Sequence, residues 1–324
     1  SKYDILHLTD LTWVHDNIVY LKEIDKHNFL GKKILSTIYW PFDDFASNGA
    51  PFLYKLMFNI FGINGLEFAK SFAKFAIRQE TIYLNGLKKS YIQNQIDIVN
   101  SVDWLLPNAE SEMKALNNRL GMSQKNYSVA NNAIDTKIFD EIIKNEKIIK
   151  DNNTITFVAR IDSRKNQITF LKAMMHTDYT IKFIGNAGPN SKKYFEQLKK
   201  LAIKRGKVEF ISHIPQKEVF RHMLSAKVNV LTSWIETPGL VSLEAAYAGC
   251  NIVVSDKGSV RDYFRNFAYY CNPKDEIDIQ RQVDRAMKSS FNESVRKLIK
   301  EEYSWKNTAH QTYKAYNNIL GTNI

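Results

Sequence analysis

The sequence predicts an α/β protein whose second half carries a parallel sheet covered by helices on both faces. Three observations predict it. Short apolar runs recur at 154–159, 180–184, 207–211, 227–231, 251–255 and 268–271, with helical stretches between most of them. Strands alternating with helices in this way build parallel sheets. Pro238-Gly239 breaks the chain after the fourth run, and Gly249 stops the helix expected over 240–248, the punctuation that separates strand from helix. Finally, 324 residues with 44% hydrophobic and 24% charged side chains leave room for two globular domains, each with its own core.

Charge and cysteine usage narrow the classes of function. The net charge is +11, which calls for an anionic partner. No nucleic-acid module is present, and no Arg/Lys block is interleaved with base-stacking aromatics, so nucleic acid is not the expected partner. Phosphorylated substrates and an anionic membrane surface fit better. No stretch reads as a signal peptide or as an apolar span of membrane length. Cys250 and Cys271 are the two cysteines. Both lie in apolar strand contexts, as buried small hydrophobes do in a reducing compartment. The seven histidines lack ligand spacing, and no metal site is expected.

Taken in order, residues 4–8 form a first strand, followed by a polar helix through His27 and a strand at 33–38 that runs into Tyr39 and Trp40. Residues 51–95 are helical. Phe68, Phe72 and Phe75 share one face and Lys70, Lys74 and Arg78 another. The apolar run 52–61 ahead of them is too short to span a bilayer but suited to its surface. Two readings stand for this region: ordinary core packing, or docking on an anionic membrane. A strand at 103–108 ends at Pro107, and 109–120 is the helix after it. The charged, Asn-rich stretch 141–153 places the interdomain hinge. The expected domains are 1–145, 150–305 and a last helix within 306–324 that follows Tyr303-Ser304-Trp305.

The chemistry concentrates in 232–256. A strand, a tight glycine turn and a helix start make an anion site, because free amides point outward there and the helix dipole favours negative charge. Glu236 stands before the turn, and Glu244 shares a helix face with Leu240 and Val241. An anion site with an acid on each side suits a ligand with phosphate in the middle and hydroxyls at both ends. A nucleotide diphosphate sugar is such a ligand. Two solvated carboxylates on a helix edge would show the same spacing, but the whole string is more specific. Glu236 and Glu244 with seven residues between them, Gly239-Leu240 inside and Ala245 after, resemble the signature of the retaining glycosyltransferases of family 4.

That resemblance implies the GT-B fold, two Rossmann-like domains facing a cleft. It implies that Glu236 contacts the transferred sugar, that Glu244 holds the ribose hydroxyls, and that the amides of Gly239, Leu240 and Val241 take the diphosphate. Arg160 with Lys165 five residues later is similar to the family's basic pair that neutralises the diphosphate, a chemically apt pairing of planar fork and point charge. His213 and Ile214 fall where the family sets the nucleotide base. Departures are Asn166 and Ala133 at glycine positions, Asp262 at a glutamate position, and Tyr39 where the family often has histidine. Tyr39 and Trp40 are the expected acceptor-side residues, through a hydroxyl and a stacking face, although an aromatic plug under a loop reads equally well. His7 matches the family's strand pattern or is simply packed.

No Gly-rich turn precedes Asp4, so the first domain is expected to be incomplete at its start. The resemblance implies transfer of a hexose or related sugar from a nucleotide diphosphate sugar to an acceptor hydroxyl, with retention. No cofactor and no metal are expected, since no Asp-x-Asp pair with metal-ligand context is evident in the second domain and Arg160 and Lys165 can do a metal's work. How the acceptor loses its proton is not readable, and the donor phosphate as base is one route the family suggests. The setting it suggests is bacterial cell-surface polysaccharide or glycolipid assembly. The acceptor would then be a glycan or lipid-linked sugar, and the protein cytoplasmic or peripheral at the inner membrane face. The rival reading is a sugar-nucleotide-binding or scaffold protein of the same fold without transfer.

Overall fold

In a computed structural model, residues 3–78, 89–122 and 126–322 are described, and they divide into two units, Ser1–Asn131 with Thr308–Ile324, and Asn132–Asn307. The first unit begins with β1 (Ile5–Thr9), α1 (Val14–Lys26) and β2 (Lys32–Ser36). It continues with α2 (Phe52–Arg78), α3 (Tyr91–Asn100), β3 (Trp104–Leu105) and α4 (Glu110–Leu120). Its parallel sheet runs β1-β2-β3, with Leu8 opposite Leu35 and Leu35 opposite Leu105. Leu8, Leu35, Ile98, Val99, Leu105, Met113 and Leu116 form the core. Those strand and helix residues point inward at the two periods that define each element's buried face. Ser90 caps α3 by accepting from the Gln93 amide at 3.1 Å. Gly121 ends α4 in the left-handed region, at φ 62°.

Two expectations for this unit change. The helical stretch predicted from 51 is not continuous, because Gly62 takes φ 63°, ψ −171° and kinks α2. Phe68 and Phe72 are about half exposed and Phe75 is partly buried, so core packing does not absorb the phenylalanine face. Lys70 is not an outward charge either. Its Nζ lies 2.6 Å from Glu67 Oε1 and 3.0 Å from the Tyr54 hydroxyl. The side chain of Arg78 and residues 79–88 lie outside the described residues. The C-terminal helix, Trp305–Leu320, joins this unit from Thr308 onward. Ala315 packs with Ile34, Leu106 and Ala130, and the Tyr316 hydroxyl meets His7 Nδ1 at 2.6 Å.

The second unit opens with α5 (Lys137–Asn145), β4 (Asp151–Val158), α6 (Gln167–Ala173), β5 (Thr180–Ile184), α7 (Lys192–Arg205) and β6 (Val208–Ile211). Then come α8 (Gln216–Ser225), β7 (Ala226–Leu231), α9 (Leu240–Tyr247), β8 (Asn251–Ser255), α10 (Val260–Phe264), β9 (Ala268–Cys271), α11 (Glu276–Lys288) and α12 (Ser294–Glu302). All six strands pair in parallel, in the order β6-β5-β4-β7-β8-β9. This is a doubly wound sheet whose direction of growth reverses between β4 and β7, the place where such sheets bind ligands. β8 is buried along its whole length, as expected of a strand covered on both faces.

The hinge expected at 141–153 falls inside this unit instead. Phe139 stacks on Phe220 with centroids 4.0 Å apart, and the Tyr247 hydroxyl donates to Asp140 at 2.7 Å. Those contacts fasten α5 to α8 and α9, so the unit begins at Asn132. β4 starts at Asp151, paired with Ala226 ahead of a register shift before Ile155. Both cysteines are buried and free. Among the described residues, no helix is long and apolar enough to cross a membrane.

Candidate functional site

The site grows from the adjacent carboxyl ends of β4 and β7. Beyond β4, Arg160 Nε donates to Asp162 Oδ2 at 2.8 Å, and the Lys165 amide donates to Asp162 Oδ1 at 3.1 Å. One nearly buried carboxylate therefore sets both the arginine and the loop that carries the lysine. Asn166 follows in the left-handed region, at φ 66°, which explains a position where glycine is common. Asparagine is among the few other residues that enter this region readily. Its side chain holds the Pro273 carbonyl at 2.8 Å. Gly185, leaving β5, has φ 141°, and a Cβ there would lie 2.2 Å from the Ala159 oxygen. A side chain at that point would push apart the exits of two neighbouring strands.

Beyond β7, the Trp234 amide donates to the Arg164 carbonyl at 2.8 Å, tying this loop to the one carrying Lys165. Glu236 is clamped through its backbone. The Ser259 amide donates to its carbonyl at 2.9 Å, and Ser259 Oγ donates to the Thr237 carbonyl. Gly258 packs so closely that a Cβ would sit 1.7 Å from the Glu236 oxygen. The result is a direct ion pair between Lys165 Nζ and Glu236 Oε1, with side chains only 14% and 11% exposed. A lysine has three donors, so Lys165 can keep Glu236 while reaching an anion.

Gly239 begins α9 at φ 63°, ψ 50°, with no side-chain cap. Among the described residues, the amides of Gly239, Leu240 and Val241 have no backbone acceptor. They are the unsatisfied donors that make a helix start bind anions. The Glu244 carboxylate, one turn further, has no hydrogen-bond or ion-pair partner among the described residues. Burial alone pushes its carboxyl up to about 7, as desolvation disfavours the charged form. The carboxylate is thus partly buried and without a side-chain partner, beside the start of α9.

The structure thus brings together Arg160, Lys165 and Glu236 through a chain of contacts, and sets the α9 start and Glu244 on the same loop and helix. It does not join His213 and Ile214 to them. These follow β6, two strands from β4, roughly 10 Å across the sheet at the usual spacing. His213 takes φ 56° and is exposed. Tyr39 and Trp40 belong to the first unit. The Tyr39 amide donates to Glu112 Oε1 at 2.8 Å, and Glu112 also accepts from the Asn108 amide at 3.0 Å and from the Thr37 hydroxyl. Burial pushes the Tyr39 phenol up to about 12. Sequence reasoning missed Asp162 and Glu112. An aspartate two residues after the arginine was a readable signal for the first, whereas nothing local marked the second.

A doubly wound α/β sheet thus carries a basic pair, a paired glutamate and unsatisfied helix-start amides at its switch point, an arrangement suited to an anionic ligand. Residues 138–305 match the family model described as glycosyl transferases group 1, and the chain belongs to that family. It is 29% identical over 175 residues to an uncharacterized glycosyltransferase of Methanocaldococcus jannaschii, covering 51% of this chain and 45% of that protein. It is 22% identical over 250 residues to the D-inositol 3-phosphate glycosyltransferase of a Nocardioides species, covering 68% and 54%. The chain spans about half the length of these curated relatives.

Among solved structures, sucrose-phosphate synthase from Thermosynechococcus elongatus superposes with a TM-score of 0.69 at 15% identity, over 99% of this chain and 75% of that one. The UDP-forming trehalose-phosphate synthase of Burkholderia xenovorans, in complex with glucose-6-phosphate, gives 0.68 at 11% identity, over 99% and 74%. Anabaena HepE, in complex with UDP and glucose, gives 0.60 at 12% identity, over 97% and 99%. At these identities the likeness shows the fold, and the fold is GT-B, with Rossmann-like units.

Proposed function

We propose that this glycosyltransferase moves a hexose or related sugar from a nucleotide diphosphate sugar to an acceptor hydroxyl with retention of configuration. The observation that carries this is the continuous contact from Arg160 through Asp162 and Lys165 to Glu236, beside the free amides of α9. In this reading the amides of Gly239, Leu240 and Val241 receive the diphosphate. Arg160 and Lys165 stabilise its charge as the bond to the sugar breaks, without a metal or other cofactor. Charge that develops in the transition state is where fixed donors have most effect. Glu236 orients the transferred sugar, and Glu244 holds the ribose hydroxyls. The acceptor oxygen bonds to the anomeric carbon, and its proton leaves on the diphosphate. His213 and Ile214 lie beside the base, and Tyr39 and Trp40 serve the acceptor.

A panel of nucleotide diphosphate sugars, read first by thermal shift and then by product analysis, tests the proposal. The cognate donor at a hundredfold over its dissociation constant should stabilise the protein by about 2.7 kcal/mol. Transfer should persist in chelator, and the product should keep the donor's anomeric configuration. A panel that leaves the melting temperature unmoved would overturn the proposal, and an inverted product would remove retention from it. Tight donor binding without transfer to any acceptor would leave a binding protein.

We further infer that the first unit docks on the inner face of the cytoplasmic membrane, where a lipid-linked or glycan acceptor for cell-surface assembly would lie. The support is the kinked α2, which exposes Phe52, Leu53, Ile60 and Phe61 before Gly62 and Phe68 and Phe72 after it, more apolar surface than a soluble face needs. Lys74 also lies exposed on this helix, and each cation near an anionic leaflet is worth about 1 kcal/mol. Since Lys70 is neutralised by Glu67, insertion of the aromatics must carry more of the binding than charge. The double substitution Phe68→Ser with Phe72→Ser should therefore reduce co-sedimentation with anionic vesicles more than Lys74→Glu does. Failure of the folded wild-type protein to sediment with such vesicles at low salt would end the idea.

A further inference from the structure

A cavity of about 190 Å³ lies within the first unit, between the Tyr39-Trp40 loop, the kinked region of α2 and the start of α3. Its walls hold three hydrogen-bonding groups that the protein does not use. Gln95 is 1% exposed, and its Nε2 has no partner. The Tyr39 and Tyr91 hydroxyls likewise have no hydrogen-bond partner among the described residues. Buried polar groups are nearly always satisfied, so the orphan Gln95 amide, beside two phenols at the cavity wall that have no protein partner, points to a ligand there.

The charges around the cavity decide what kind of ligand. Arg119 Nη2 lies 3.1 Å from Asp43 Oδ1, and Lys70 Nζ lies 2.6 Å from Glu67 Oε1. Each cation is thus matched by a carboxylate. An added phosphate would meet repulsion from Asp43 and Glu67 that offsets its attraction to Arg119 and Lys70. Sugar hydroxyls suit this surface, because each can donate to a carboxylate and accept from a cation. Trp40 and Phe42 also line the cavity and offer ring faces to the apolar side of a sugar. The volume lies below the roughly 300–1,000 Å³ of pockets that hold drug-sized ligands, which limits the occupant to one ring.

We propose that this cavity binds a single uncharged hexopyranose ring of the acceptor and does not favour a sugar phosphate. The inference rests on the reading that the first unit takes the acceptor, and it commits that reading to a chemical class.

Saturation-transfer NMR on the full chain tests it, using methyl glucosides, galactosides and mannosides beside the corresponding hexose 6-phosphates. Each probe is run with and without a nucleotide diphosphate. At least one methyl hexopyranoside should bind saturably, with its 6-phosphate no tighter. Tyr91→Phe removes one hydroxyl and should weaken that glycoside about three- to tenfold. Gln95→Met should weaken it similarly while leaving the ligand-free melting temperature unchanged or raised, because an orphan buried amide is removed. A merely structural glutamine would lower the melting temperature and leave binding alone. That outcome overturns the proposal, as does a sugar phosphate binding tenfold tighter or the absence of glycoside binding in either condition. Because glycoside binding is measured directly, a cognate donor found without it leaves the transferase reading standing. Glycoside binding without any cognate donor does the reverse.

Discussion

Lys165→Ala should lower turnover by about two to three orders of magnitude, the scale of losing one donor that acts on transition-state charge. It should also lower the melting temperature. The ion pair with Glu236, largely buried on both sides, is the reason. Removing the lysine strands a carboxylate, at about 1–3 kcal/mol, less than the roughly 3–5 kcal/mol of a fully buried pair. Arg160 separates the two effects. Its side chain is 57% exposed, so Arg160→Ala should lose comparable turnover at under about 1 kcal/mol of stability. Adding Glu236→Gln to Lys165→Met should recover stability without recovering turnover. Kinetics and thermal melts of these variants decide the matter, and near-wild-type turnover in Lys165→Ala would remove the diphosphate clamp from the mechanism.

Glu244→Ala should weaken both the free nucleotide diphosphate and the sugar donor by about 1.5–3 kcal/mol, because the ribose belongs to both. Glu236→Ala should spare or even strengthen the free nucleotide, since it releases Lys165 toward the phosphates, while turnover falls. Calorimetry giving the opposite pattern would exchange the two ends of the ligand. Glu244 adds a pH signature. Its carboxyl is raised by burial from 4.5 to about 7. The folded state therefore binds more protons than the unfolded state between those values. By linkage, this group's contribution is most favourable at low pH and declines as pH rises through that window. Glu244→Gln should flatten the decline. Ribose hydroxyls donate to the ionised form, so donor affinity should rise with pH toward and just past 7 and stop doing so in Glu244→Gln. A nucleotide sugar is the right probe, since its phosphates are diesters that do not titrate there.

Glu112 shows why part of the first unit resisted reading. It lies in the first turn of α4 and looks like any acid favoured at a helix start. In three dimensions it is fully buried and orders Thr37, Tyr39 and Asn108. The pairing with Thr37 spans 75 residues, and no local pattern encodes such a distance. The same holds for the cavity around Gln95, whose lining comes from five separate stretches of chain.

By itself the sequence determined the six strands of the second unit, to within a few residues, and the string from Glu236 to Glu244. Apolar runs of strand length, glycine turns and helix starts are local choices, each made by neighbouring residues through backbone sterics and burial. Only the tertiary structure decided that α5 belongs to the second unit, that Gly62 kinks α2, that Lys70 is matched by Glu67, and that Lys165 is already held by Glu236. Two of these, the α5 packing and the Lys165–Glu236 pair, depend on which side chains meet across long loops. The kink at Gly62 and the pairing of Lys70 with Glu67 are local in sequence, but glycine permits a kink without requiring one, and a lysine three residues from a glutamate can face either its partner or solvent. In each case packing chooses among conformations that the local sequence allows equally.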